Sequence, residues 1–230
     1  NYWNTLDFIA YEARRDQMIN DYILTQYSLK AGLKKFGEGG RKATMKELQQ
    51  MLAREVFGET NQDKLTYEQK KKALPILLFL TLKRDGTTIK GRACADGRKQ
   101  RVWTDKQDAA SPTIAVEALF YTLIMDALEE RDVATCDLPG FFLQTDMEGD
   151  ILLRIDGALA LLLVKIDRKR WKKHLRYKRK NPVIYVNCDK AIYGTVTAAL
   201  LSYKKLAGHL MDWGFEMNPY EPCCWNKMVS

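Results

Sequence analysis

Residues 132–146 read Asp-Val-Ala-Thr-Cys-Asp-Leu-Pro-Gly-Phe-Phe-Leu-Gln-Thr-Asp. Small and β-branched residues dominate the first half, and the Pro-Gly pair that follows is a turn signal, so the stretch predicts a short strand over 132–138. Asp137 then lies at the end of the strand, where a rigid element can hold a carboxylate as a metal ligand. The alternative is that Asp137 only caps the turn.

Composition bounds the size, charge and environment of the protein. Its 230 residues suffice for one large domain or two small ones, and its formal charge of +8 favours an anionic partner such as nucleic acid. Because the sequence starts at Asn1 and stops at Ser230 without a helix-stop signal, we expect it to be a piece of a longer protein. No apolar run approaches the roughly 18 residues of a membrane span. Five cysteines without Cys-X-X-Cys spacing indicate a reducing compartment, so we expect an intracellular protein, cytoplasmic or nuclear.

Residues 1–76 predict a mostly helical N-terminal segment. A glycine-rich break occupies 37–40, and the apolar spacing after it predicts an amphipathic helix over 41–57. Thr66 begins a capping-box pattern, which opens a lysine-rich helix. Pro75 bends or ends that helix, because proline cannot donate the backbone hydrogen bond of a helix interior.

Two apolar runs, 77–83 and 87–95, flank Arg84-Asp-Gly86 and predict a β-hairpin, since Asp-Gly is a favoured hairpin turn. Lys90 and Arg92 lie on its second strand. A hairpin can hold a guanidinium group rigidly against phosphate oxygens, so both residues are candidates for phosphate binding. An ordinary solvated strand face accounts for the same two residues.

The second half of the chain predicts further helices and strands. A helix over 111–130 is apolar on most sides, which predicts that it is buried. Strands are predicted over 149–155 and 182–188, a short helix over 157–164, and an amphipathic helix over 198–213.

The most basic run of the chain extends from Arg168 to Lys180 and includes two aromatic residues. Cationic side chains neutralise a phosphate backbone, and aromatic side chains stack on bases. The run therefore predicts nucleic-acid contacts by Arg168, Lys169, Arg170, Trp171, Lys172 and Lys173. A solvated face or an insertion loop would have the same composition.

Several of these segments resemble reverse transcriptases, most closely those of copia-type (LTR) retrotransposons. Residues 132–146 are similar to motif A of the family, Asp-Val-Lys-Thr-Ala-Phe-Leu, with Asp137 on its metal-binding aspartate and Phe142 on its aromatic residue. The hairpin strand Lys-Gly-Arg-Ala-Cys-Ala-Asp-Gly (90–97) resembles the family's Lys-Ala-Arg-Leu-Val-Ala-Lys-Gly. Lys-Ala-Ile-Tyr-Gly (190–194) resembles the start of motif B, Lys-Ser-Leu-Tyr-Gly. These matches follow the family's order.

The resemblance implies an α+β fold that comprises the fingers and part of the palm of a right-hand polymerase. An antiparallel sheet would pack on helices, and the thumb would be absent. Residues 1–76 would form the N-terminal helical segment, residues 77–131 the fingers hairpin and a buried helix, and residues 132–230 a partial palm with motifs A and B.

The resemblance also implies template-directed deoxynucleotidyl transfer by a two-metal mechanism in the intact protein. Asp137 would be catalytic, and with the backbone carbonyl of Leu138 it would bind Mg²⁺ or, as a substitute, Mn²⁺. The implied nucleotide-binding residues are Lys90, Arg92, Leu138, Phe142, Tyr193 and Gly194. The implied partners are an RNA template, a DNA primer strand, deoxynucleoside triphosphates, and the RNase H and integrase parts of the polyprotein.

At two places this sequence departs from the pattern of the family, so a common ancestry would not by itself imply polymerase activity. The family's other metal-binding carboxylates lie in a Tyr-X-Asp-Asp hairpin, and no Asp-Asp pair occurs in this sequence. Thr-Val-Thr-Ala-Ala (195–199) stands where copia-type enzymes have Leu-Lys-Gln-Ala-Pro. We therefore expect this polypeptide alone to be inactive as a polymerase. The alternatives are a decayed or repurposed remnant that binds nucleic acid or a partner without catalysis, and a basic protein with no polymerase ancestry.

Overall fold

The computed structural model describes residues 26–228, so the first 25 residues of the predicted N-terminal segment lie outside the described part of the chain. Within that part, a seven-stranded sheet forms the centre of the fold. Its strands are β1 (Gln26–Ser28), β2 (Phe57–Glu59), β3 (Leu74–Leu82), β4 (Ile89–Ala95), β5 (Leu152–Asp156), β6 (Arg176–Lys178) and β7 (Asn181–Cys188). A separate small sheet pairs β8 (Glu216–Met217) with β9 (Trp225–Asn226).

The main sheet has the strand order β1-β3-β5-β7-β2, with β4 beside β3 and β6 beside β7. Its pairings are antiparallel except at one joint, where β3 runs parallel to β5 through Leu74 with Leu153 and Pro75 with Arg154. The α+β class is thus confirmed, but the prediction of an antiparallel sheet is wrong at this joint. The lysine-rich helix ends at Lys72, shortly before Pro75 as predicted, and Pro75 itself lies in β3.

Helices connect the strands, and two of them cover one face of the sheet. Those of the described residues are α1 (Leu29–Ala53), α2 (Tyr67–Lys72), α3 (Lys106–Ala109), α4 (Val116–Leu128), α5 (Ala158–Ile166), α6 (Arg168–Trp171) and α7 (Ala198–Asp212). Gly37 breaks α1 with φ 52° and ψ −122°, which confirms the predicted break at that residue. The helix nevertheless starts twelve residues before the predicted 41–57 and ends at Ala53. No helix between residues 26 and 228 has the length and hydropathy to cross a membrane.

The hydrophobic core lies between the sheet and the helices α1 and α5. Strand alternation directs Leu74, Ile76, Leu78 and Leu80 of β3 into it, and all four are buried. Helix α1 lies so close to β3 that a Cβ on Gly32 would come within 2.8 Å of the Leu80 side chain. Glycine weakens a helix intrinsically, and close packing accounts for Gly32, Gly39 and Gly40 here, whereas Gly37 has no atom within 4 Å of an added Cβ.

The local signals in the sequence correspond to observed turns and caps. In the hairpin of β3 and β4, the Asp85 carboxylate accepts hydrogen bonds from the backbone N–H groups of Thr87 and Thr88, at 2.9 and 2.8 Å. Thr66 and Gln69 form the predicted reciprocal capping box at the start of α2. The predicted strand at 182–188, the short helix at 157–164 and the long helix at 198–213 are confirmed to within a few residues by β7, α5 and α7.

The predicted strand over 132–138 is wrong. These residues have no regular secondary structure and their side chains are exposed, with Val133 at 62% and Leu138 at 45% exposure. A strand is stabilised by hydrogen bonds to a neighbouring strand, and none of the strands within 26–228 pairs with this segment. A favourable composition alone does not supply that partner.

The predicted burial of the helix before it is also wrong. The helix forms as α4, but no residue of Val116–Leu128 is buried, and Phe120 and Leu128 are 59% and 75% exposed. A helix that is apolar on most sides is buried only where other elements cover it. Within the described residues, α4 keeps an apolar surface on the outside of the protein.

Candidate functional site

Five of the residues singled out in the sequence line one cavity of about 400 Å³. They come from three separate stretches of the chain: Lys90 and Arg92 from β4, Asp137 and Leu138 from the irregular segment, and Tyr193 from the loop before α7. The resemblance described above implies that these three stretches belong to one site. The fold therefore brings together residues that are more than 40 positions apart in the sequence.

Strand β4 supplies the cations because it is an edge strand with two different faces. Gly91 and Ala93 face the core and are buried, while the intervening Lys90 and Arg92 are exposed. The outer backbone edge of β4 is satisfied from outside the sheet: Ala93 N–H donates to the Glu47 carboxylate at 2.9 Å, and Ala95 N–H donates to the Tyr193 carbonyl at 2.7 Å. These two bonds fix the distance between β4, α1 and the Tyr193 loop.

Tyr193 lines the cavity, and Phe142, which does not line it, packs against the Tyr193 ring. The rings of Phe142 and Tyr193 lie 4.6 Å apart, centroid to centroid, at an interplanar angle of 38°. The guanidinium carbon of Arg92 lies 4.7 Å from the Tyr193 ring centroid, within the range of a cation–π contact. This contact favours one orientation of the Arg92 guanidinium group beside the cavity.

Arg54, at the end of α1, anchors the loop that carries Leu138. Its guanidinium group donates to the carbonyl oxygens of Pro139 and Gly140, at 3.3 and 3.4 Å. The turn is closed by a hydrogen bond from Phe141 N–H to the Leu138 carbonyl at 3.1 Å. Although residues 132–138 lack strand partners, the end of the segment is therefore attached to the folded core.

The stretch after the turn is fixed against the loop that resembles motif B. Ala191 N–H donates to the Thr145 carbonyl at 2.8 Å, and the side chains of Asp146 and Lys190 form an ion pair. The Lys190 ammonium group lowers the pKa of the Asp146 carboxyl. The two segments that resemble motifs A and B are thus joined directly, which places Phe142 beside Tyr193.

Gly194 lies where the backbone of this loop meets the end of β4. Its φ is +90°, and a Cβ at this position would lie 2.0 Å from the Ala95 carbonyl oxygen. Glycine is therefore required for a contact within the protein. That Gly194 also lies beside a bound nucleotide, as the resemblance implies, remains a prediction.

The electrostatics of the cavity combine two cations with two carboxylates, Asp137 and Glu47. Burial raises the pKa of Glu47, although the Ala93 N–H and the nearby charges of Lys90 and Arg92 oppose that shift. Within residues 26–228, no three His, Cys, Asp or Glu side chains are grouped to hold a metal ion. A two-metal centre needs more protein ligands than this, so the described residues do not complete one by themselves.

The basic run after α5 differs from its prediction in one important respect. Trp171 is fully buried, so its ring packs in the core and cannot stack on a base. Arg170 donates to the Phe57 carbonyl at 3.0 Å and pairs with Glu59 at 3.2 Å, and Lys173 pairs with Glu59 at 2.7 Å. The remaining cations of the predicted set, Arg168, Lys169 and Lys172, are exposed.

Glu47 lines the cavity and Arg54 anchors the loop that carries Leu138, but neither was predicted. Both lie in the C-terminal half of α1 or directly after it, among polar residues of an amphipathic helix. Such residues are ordinarily solvated, and nothing in their spacing distinguishes them from Gln49 or Lys46. Their role depends on β4 and the Leu138 loop being placed beside α1, which is a tertiary property.

No protein-family model matches the chain, and comparisons with curated proteins and with solved structures give no match either. The case for a function therefore rests on the residues of the cavity and their geometry.

Proposed function

We propose that this chain is the nucleotide-binding part of a copia-type reverse transcriptase, with elements of its fingers and palm, and that it does not polymerise DNA alone. The observation that supports this most directly is the convergence of Lys90, Arg92, Asp137, Leu138 and Tyr193 on one cavity. A solvated strand face would leave Lys90 and Arg92 without any such association.

In this proposal, each group of residues has a separate task. Lys90 and Arg92 bind the triphosphate of a deoxynucleotide, because cationic donors on a rigid strand match phosphate oxygens. Phe142 and Tyr193 offer an aromatic surface to the sugar and base. Asp137 provides one of the carboxylates for Mg²⁺ in the intact enzyme, where the metal ions would activate the primer hydroxyl and stabilise the leaving pyrophosphate.

Nucleotide binding tests this proposal without requiring catalysis. We would measure binding of dATP with Mg²⁺ by isothermal titration calorimetry for the unchanged chain, for Arg92→Ala, and for Arg84→Ala. Arg84 is an exposed arginine in the turn of the same hairpin, outside the cavity, so it is a matched control. Loss of a charged hydrogen bond of about 1.5–3 kcal/mol predicts that Arg92→Ala weakens binding by roughly 10- to 150-fold. Equal effects of the two substitutions, or no binding by the unchanged chain, would refute the proposal.

Primer extension separates nucleotide binding from catalysis. On an RNA template with Mg²⁺, we expect this chain to be silent and a version extended by about 100 further residues of its gene, a typical domain length, to be active. Asp137→Asn in the extended version should abolish that activity. Extension activity that survives Asp137→Asn would show that Asp137 is not the metal-binding aspartate.

The second candidate function is a remnant that binds nucleic acid without catalysis. One observation favours it, the departure from the family pattern at residues 195–199. The same primer-extension assay discriminates between the candidates. Silence of both versions, combined with salt-sensitive RNA binding, would identify the remnant.

A further inference from the structure

We infer that a second cleft, on the face of the sheet opposite α1 and α5, binds single-stranded nucleic acid. The cleft has a volume of about 560 Å³. Its polar and aromatic lining consists of Gln62, Asp63, Tyr67, Lys70, Lys71, Lys99, Arg154, Arg176, Tyr177, Lys178 and Tyr185. This inference is independent of the nucleotide proposal, because the two cavities share no residue.

Strand alternation places the cleft on the face of the sheet opposite α1 and α5, beside α2. In β7, Ile184 and Val186 point into the main core, whereas Val183 and Tyr185 line the cleft. The same alternation in β5 directs Arg154 into the cleft. Paired strands form a rigid floor, so the backbone positions that carry these charged side chains are fixed.

The charge of the cleft is strongly positive. Six cationic side chains line it against one carboxylate, that of Asp63. Arg176 pairs with Asp63 at 2.9 Å, and Arg154 pairs with the neighbouring Asp156 at 2.8 Å. Four lysines line the cleft besides these two arginines: Lys70 and Lys71 of α2, Lys99 of the turn before Gln100, and Lys178 of β6. Because the two carboxylates pair with the arginines, the cleft keeps a net positive charge that can bind a chain of phosphates.

Two exposed aromatic rings distinguish nucleic acid from other polyanions. Tyr67 and Tyr177 both line the cleft and are 76% and 66% exposed. Exposed tyrosines among cations are the combination that single-strand-binding proteins use, with phosphates on the cations and bases stacked on the rings. An acidic peptide would use the cations but would have no need of the rings.

The cleft shares Arg176, Tyr177 and Lys178 with the basic run Arg168–Lys180, but it does not include the residues predicted to contact nucleic acid. None of Arg168–Lys173 lines it, and three of the six cations come from residues before 100. Lys70 and Lys71 belong to the predicted lysine-rich helix, and no pattern in the sequence predicts a binding role for Lys99 or Arg154. The cleft forms because α2 contacts β5, while β6 pairs with β7, the strand next to β5.

The test is binding of a fluorescein-labelled oligo-dU of 12 nucleotides, followed by fluorescence anisotropy between 50 and 300 mM NaCl, values chosen because nucleic-acid affinity depends on salt. We would compare the unchanged chain with Lys70→Ala/Lys71→Ala and with the control Lys42→Ala/Lys46→Ala. The control pair lies exposed on α1 and removes the same charge from another surface. Loss of two phosphate contacts on a single strand predicts that the slope of log K against log salt becomes shallower by about 1.4. The control should keep the original slope.

Tyr67→Ala tests the stacking component, with Tyr67→Phe as its control. A stacked base predicts an affinity loss of at least about fivefold for alanine and little loss for phenylalanine. Equal slopes for the two lysine pairs would overturn the proposal, since binding would then follow total charge. Inorganic polyphosphate binding as tightly as the oligonucleotide, with no effect of Tyr67→Ala, would overturn the assignment to nucleic acid. Retention of dATP binding by the Lys70→Ala/Lys71→Ala variant would show that the first cavity is intact.

Discussion

Gly194 offers the sharpest test of how the loop that resembles motif B is connected to β4. Gly194→Ala would force an alanine into φ +90° and place its Cβ 2.0 Å from the Ala95 carbonyl oxygen. A side-chain residue at positive φ costs about 1–3 kcal/mol. The clash also separates Tyr193 from Ala95, whose backbone hydrogen bond of 2.7 Å contributes about 0.5–1.5 kcal/mol. We therefore expect a loss of about 2–4 kcal/mol in the free energy of unfolding.

The assay is thermal and urea unfolding, with Gly208→Ala as the matched control. For a chain of this size, the expected loss corresponds to a fall in Tm of about 5–15 °C. Gly208 lies inside α7 with no atom within 4 Å of an added Cβ, so alanine there should be neutral or should stabilise by up to about 1 kcal/mol. Gly97→Ala should behave like Gly194→Ala, because its Cβ would lie 2.1 Å from the Gly194 carbonyl oxygen. A Gly194→Ala protein as stable as the Gly208→Ala protein would refute the close contact between this loop and β4.

Three further predictions concern buried and charged groups elsewhere. Trp171→Ala should lower the free energy of unfolding in urea by about 3–5 kcal/mol, whereas Lys172→Ala should change it by less than about 0.5 kcal/mol; equal effects would mean that the ring is not in the core. The pKa of Glu59 is lowered to about 2, mainly by hydrogen bonds from its basic neighbours, so its stabilising contribution is present above the ordinary value of 4.5 and is lost as the pH falls from 4.5 toward 2. Stability in that window should depend less on pH in Glu59→Gln, and an unchanged profile would contradict this linkage. Burial raises the pKa of Cys188 to about 12, so a thiol reagent should modify the exposed Cys136 rapidly and Cys188 only after unfolding, as peptide mapping would show.

Sequence signals predicted the features that depend on a few neighbouring residues. The turn at Asp85-Gly86, the cap at Thr66 and the amphipathic helix α7 are each specified by local chemistry, and each formed as expected. Features that depend on a distant partner were not predictable. Residues 132–138 have strand composition without a strand beside them, and Trp171 lies in a basic run that nevertheless turns its ring into the core.

The candidate site shows the same division. Lys90, Arg92 and Asp137 were identified by their residue types within recognisable stretches, and the fold places them in one cavity. Glu47 was not identified, because a glutamate on the polar face of a helix is unremarkable until β4 lies beside it. The basic cleft was missed for a similar reason: its cations are scattered over about 100 residues and meet only through the pairing of β5, β6 and β7.

The parallel joint between β3 and β5 has a consequence for the order in which the protein is made. On one side of the joint, β1, β3, β4 and the helix α1 all lie within residues 26–95, and apart from the joint these strands pair only with one another. On the other side, β2 can pair only after β7, whose residues are synthesised much later. A ribosome therefore releases a hairpin packed on a helix before the rest of the sheet exists, and domains fold as their residues emerge. Only two residue pairs then have to form at the joint for the later strands to extend the sheet begun by the first.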